Sequence, residues 1–124
     1  MELYFGSLRS SDVHFNPRKL VTFAIPDIGV RFKAPVSVED KALEYAALLT
    51  LLEFIDINPQ LFANRALELY CDDSELIKEV TACRADVQDT APYLEKVLEY
   101  RSKMRFSINW VARSANPARR SEID

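Results

Sequence analysis

The chain has 124 residues, nearly half of them apolar, which suits one domain around a single core and excludes a second. A net charge of −3 excludes binding of nucleic acid by bulk electrostatics, because Lys and Arg must neutralise the phosphates, and leaves only a local patch for that role. Cys71 and Cys83 lack any C-x-x-C or Cys/His ligand spacing, and no signal peptide or long apolar span precedes them. The expectation is a cytoplasmic protein with two free thiols and no membrane association.

In chain order, residues 2–8 and 19–25 are short apolar runs, and Val30 to Val36 alternates, with Val30, Phe32 and Ala34 on one face and Arg31 and Lys33 on the other. Three strands are predicted. Pro26-Asp27 with Gly29 supplies turn chemistry between the second and third, so the three should form an antiparallel meander. From about Val38 to Ile57 the apolar spacing becomes helical, and Asn58-Pro59 ends it because the residue before proline is pushed out of the α region. A fourth strand is predicted over Arg65 to Cys71 and a helix over Ser74 to Cys83. The polar stretch RADVQDT then separates it from a helix over Ala91 to Met104, in which Leu94, Val97, Leu98 and Arg101 share a face. Phe106, Ile108 and Trp110 alternate as a fifth strand and are assigned to the core. The domain is bounded at 1–115, with 116–124 as a C-terminal tail.

Three segments carry chemistry. ELYCDDSELI, from Glu68 to Ile77, is an apolar strand that ends in two acids and turns at once into a helix, which sets a carboxylate at the C-terminal edge of a sheet. Glu44 lies in the helical run LEYAALLTLLE, and the chain closes on SINWVARSANPARR. In this order and spacing the three resemble the ribonuclease H-like superfamily. The resemblance implies an α/β fold with a five-stranded mixed sheet: three antiparallel N-terminal strands, two further parallel strands, and helices packed on it. It puts Glu44 at the position of the family's metal-binding Glu. The ungapped match puts Asp73 at the catalytic Asp, with Asp72 one residue away, and INWVARSAN matches the last strand and its loop.

The departures from the family pattern point to a degenerate member. The family opens with aromatic-Asp-Gly-Ser, whereas this chain reads Tyr4-Phe5-Gly6-Ser7, with the Asp missing. A final Asp is expected four residues after Asn116, and Arg120 stands there. Two-metal hydrolysis holds its ions about 3.5–4 Å apart and needs several carboxylates around them. Glu44, Asp73 and Asp72 would at most hold one Mg²⁺ weakly, so no firmly bound cofactor is expected. Asp12, Glu122 and Asp124 are the conceivable substitute carboxylates for an active metal-dependent nuclease.

Ordinary structural roles compete with each assignment. Glu44 shares a stripe with Ala47, Leu48, Leu51 and Ile55, and would otherwise be a helix-start Glu favoured by the dipole. Asp72 to Glu75 resembles a capping box, which alone accounts for acids at a helix start. His14 reads as a plain loop residue. Basic residues gather in the last quarter of the chain, and Arg113, Arg119 and Arg120 are the candidate phosphate contacts. The functional expectation is therefore a catalytically degenerate domain that binds nucleic acid through a local basic patch, with a protein-interaction role as the alternative. Because two acids left alone would repel each other, Arg120 is expected to neutralise Glu44 and Asp73 as a structural ion-pair cluster.

Overall fold

The computed structural model describes residues 1–11, 17–86 and 88–120. Asp12, His14, Glu122 and Asp124 lie outside the described residues. Five strands, β1 (Glu2–Ser11), β2 (Pro17–Ile25), β3 (Val30–Val36), β4 (Leu67–Cys71) and β5 (Phe106–Trp110), form one sheet in the order β3-β2-β1-β4-β5. The first three are antiparallel neighbours, while β4 runs parallel to β1 and β5 parallel to β4. The mixed sheet is therefore the expected one. The turn between β2 and β3 is a 3₁₀ turn, Pro26–Ile28, closed by Gly29 at φ 66°, a left-handed conformation that glycine adopts without a steric penalty.

Helices α1 (Leu43–Ile57), the single turn α2 (Pro59–Phe62), α3 (Ser74–Ala82) and α4 (Ala91–Lys103) complete the chain. Leu3, Phe5 and Ser7 of β1 point to the same face as Val21, Phe23 and Ile25 of β2 and Leu67, Leu69 and Cys71 of β4. Against that face α1 lays Ala47, Leu48, Leu51 and Ile55, all nearly inaccessible. Each such side chain removed from water contributes about 1.5–3 kcal/mol, which makes this layer the main stabilising one. Glu44 sits on the same stripe, one turn before Leu48, so the packing that holds α1 also carries this acid to the sheet edge. No helix among the described residues is long and apolar enough to cross a membrane.

The structure revises several boundaries. Residues 38 and 39 do not join the helix: Lys19 donates to the Val38 carbonyl, Asp40 pairs with Lys19 and Arg9, and this clamp holds the segment against β1 and β2 until Asp40–Ala42 turns as 3₁₀. Trp110 is not core. Phe106 is buried and Ile108 half-buried on the alternating face, but Trp110 ends an edge strand beyond the cover of the helices and is 60% exposed. Nor do residues 116–120 form a tail. Asn116 and Ala118 are buried, and the 3₁₀ turn Pro117–Arg119 packs across β1 and β2 on the sheet face opposite α1.

Candidate functional site

At the C-terminal edge of the sheet, four chain segments converge on one guanidinium. Asp72 follows directly on β4, Glu44 is the second residue of α1, Ser7 lies in the central strand β1, and Arg119 ends the turn after Asn116. Arg119 Nε and Nη2 reach the two oxygens of Asp72 at 2.8 and 2.5 Å, a two-pronged geometry that matches the guanidinium fork to a carboxylate. Nη2 also donates to Glu44 Oε1 at 3.1 Å, while Nη1 donates to the Ser7 carbonyl and to Ser7 Oγ. All five donors of the side chain are thereby used. The Ser7 hydroxyl in turn donates to Glu44 Oε1 at 2.5 Å.

Local sequence explains how an arginine enters from the far face. Gly6 is the passage: a Cβ there would stand 3.1 Å from Arg119 Nε and 3.3 Å from its Cζ. The turn that presents Arg119 is fixed from both ends. Asn116 accepts the Ala118 N–H at 3.0 Å and donates its amide to the Phe5 carbonyl and to Asp72 Oδ2, and the Thr22 hydroxyl lies 2.6 Å from the Ala118 carbonyl. Pro117 at the first turn position presets φ for it.

The electrostatics separate the two acids. Burial alone would raise the Asp72 carboxyl, but hydrogen bonds from Arg119 and Asn116 outweigh it and hold the group below the ordinary Asp range. Burial dominates at Glu44 and pushes it above the usual value despite the bonds from Ser7 and Arg119, with the Asp73 and Asp72 charges adding to the rise. The geometry agrees, since Glu44 Oε2 is buried and has no hydrogen-bond partner among the described residues. Burial works against the Arg119 cation as well, but its bonds to Asp72 and the Glu44 charge prevail and raise it further.

Two expected site residues are displaced by one position. Asp73 is the N-cap of α3, accepting the Leu76 N–H at 3.1 Å, and Asp72 rather than Asp73 bonds to the cluster. The strand's last residue points inward, so the residue after it meets the site while the next begins the helix. Arg120 is exposed, its carbonyl accepting from Arg31, and Arg119 takes the ion-pair role instead. A spacing of four residues suits an α-helical turn; the chain forms a 3₁₀ turn, with three residues per turn, and arrives one residue early. The Asn116-Pro117 pair, a cap followed by a preset φ, was the available signal. Arg113 remains exposed and lines a cleft of about 470 Å³ together with Ser7, Arg9, Asp40, Glu44 and Arg119.

No protein-family model and no curated protein matches this sequence. Solved structures do match in three dimensions. The ribonuclease H1 of Halobacterium salinarum aligns over 95% of this chain and 89% of its own, with 20% identity and a TM-score of 0.69. LC11-RNase H1, isolated from compost by a metagenomic approach and solved in complex with an RNA/DNA hybrid, aligns over 94% and 88% with 11% identity and a TM-score of 0.73. The N-terminal RNase H domain of a Mycobacterium tuberculosis protein aligns over 96% and 93% with 13% identity and a TM-score of 0.64. The chain has the ribonuclease H-like fold.

Among the described residues, the donor set at this edge does not fit a pair of divalent ions. Phe5, which stands where the strand-one Asp is expected, is fully buried in the core. Glu44 and Asp72 face a cation already bonded to both, and a divalent ion in the same place would be repelled by it. Among the described residues no group of three His, Cys, Asp or Glu side chains could hold a metal ion.

Proposed function

We propose that this chain is a ribonuclease H-like domain that has exchanged two-metal hydrolysis for an arginine-neutralised edge, and that it binds nucleic-acid backbone at the cleft beside that edge. The observation that carries the reading is Arg119, with all five donors committed among Asp72, Glu44 and Ser7. A guanidinium cannot polarise a water or clamp both oxygens of an in-line displacement as paired metal ions do. Binding is supported by the cleft itself. Arg113 is exposed there without an ion pair to any described residue, while Arg9 on the opposite rim is already paired with Asp40. The relative solved with an RNA/DNA hybrid supports the ligand class.

Incubation with a labelled RNA/DNA hybrid and Mg²⁺ or Mn²⁺ tests the first half, and the hybrid should stay intact. Metal-dependent cleavage abolished by Glu44→Gln would overturn it. For the second half, retention of hybrid, duplex and single strands at low salt should weaken about equally for all sequences in Arg113→Ala, with the salt slope reduced by about one. If the wild-type chain retains none of them, a protein-interaction role replaces this reading.

A further inference from the structure

At the opposite end of the sheet, where β4 and β5 begin, lies a second concavity of about 390 Å³ that the edge cluster does not use. Its floor is apolar. Phe62 and Leu67 are buried beneath it, and Met104 is half-buried at its side, an unbranched chain that adapts to the shape of what it meets. Its rim is cationic: Arg65 precedes β4, Arg105 precedes β5, and Lys103 ends α4. These three face one lining carboxylate, Asp56, and none of them forms an ion pair with a described residue. The local balance is thus positive in a chain whose net charge is −3.

The apolar character continues onto the surface. Three large apolar side chains are exposed among the described residues, and two of them, Ile57 at 67% and Leu61 at 37%, lie on the same short connection from α1 through α2 that lines the concavity. Exposed apolar side chains beside a pocket with unpaired cations are the composition of a recognition surface rather than of a solvated face.

We propose that this pocket docks an acidic peptide segment carrying a bulky apolar side chain. The apolar side chain fills the floor above Phe62 and Leu67, and flanking carboxylates pair with Arg65 and Arg105. A nucleic-acid backbone fits less well, because it carries nothing apolar to fill the floor above Phe62 and Leu67. The site is independent of the cleft at the other sheet end, so the domain can hold nucleic acid and a protein segment together.

Fluorescence anisotropy with a labelled peptide Glu-Asp-Leu-Phe-Asp-Glu tests it. Saturable binding is expected, lost when Ser replaces Leu-Phe or Lys replaces the acids. It should weaken by about ten-fold or more in the R65E/R105E double variant, whose sites are exposed and whose fold is checked by circular dichroism. Arg113→Ala should leave the affinity unchanged. Amide shifts on peptide addition should cluster at 55–67 and 103–106. Equal binding of the acidic and basic peptides would overturn the proposal. So would shifts confined to the Arg113 cleft, or oligonucleotide retention that depends on Arg65 and Arg105. A concentration-dependent dimer abolished by Ile57→Asp would assign this surface to a second copy of the chain instead.

Discussion

Glu79, which is buried, and Glu44, which is half-buried, are two carboxylates around the same turn of α1, and they are held in opposite ways. Glu79, on α3, accepts the Tyr45 hydroxyl at 2.6 Å, the Thr90 hydroxyl at 3.1 Å and the Asp86 N–H at 3.0 Å, so both its oxygens are satisfied by neutral donors. Glu44 takes Ser7 and Arg119 on one oxygen and nothing on the other. The surroundings of Glu79 are arranged about a carboxylate. Those of Glu44 are arranged about a guanidinium, whose five donors are all met while the acid is not. A fully satisfied acid ties elements together; an acid half satisfied by a cation belongs to an edge organised around that cation.

Removing the cation should therefore cost most. Arg119→Met leaves Asp72 and Glu44 buried together without a counter-charge, and urea unfolding at neutral pH should show a loss of about 3–5 kcal/mol. Part of that loss should return on acidification, as the two carboxyls take up protons. The same measurement on Glu79→Ala, which takes the acceptor away from the buried Tyr45 hydroxyl, should give about 2–3 kcal/mol with no such recovery assigned to the sheet edge.

Smaller effects sharpen the contrast. Asp73→Ala removes only the cap of α3 and should cost about 1 kcal/mol, leaving the chemical shifts of the Arg119 side chain unmoved. Had Asp73 been the acid of the cluster, the loss would match that of Asp72→Asn. Glu44→Gln should change stability by less than about 1 kcal/mol, and in the stabilising direction at neutral pH. The sign follows from linkage. Because its folded-state value is raised, wild-type Glu44 loses stability as pH climbs from the ordinary carboxylate range through the folded value. Asp72, held low, acts the other way and withdraws stability only as pH falls below that range. The advantage of Glu44→Gln over wild type should thus grow as pH rises out of the ordinary carboxylate range and vanish below it.

Much of this was legible in the sequence where periodicity and punctuation agree. The alternation in Val30 to Val36, the stripe from Ala47 to Ile55 and the stop at Asn58-Pro59 mark the places of strands and helix, and local matches around Glu44 and Asp73 point to the sheet edge. What could not be read was register at single-residue precision. Which of Asp72 and Asp73 meets the site depends on where β4 stops, and which of Arg119 and Arg120 does depends on whether the final turn is α or 3₁₀. Trp110 was misread because alternation reports a face and says nothing of how far the covering helices extend. Ser7 and Asn116 act through hydrogen bonds between residues 37 to 111 positions apart, and no local pattern encodes those.

On the proposed reading, Arg119 stands where a divalent pair would be required. Titration with Mn²⁺, followed by paramagnetic broadening of the amide signals of Ser7, Glu44 and Asp72, tests it most directly. These signals should broaden no more than amide signals elsewhere in the chain. Saturable, selective broadening at all three residues in the wild-type chain would contradict it.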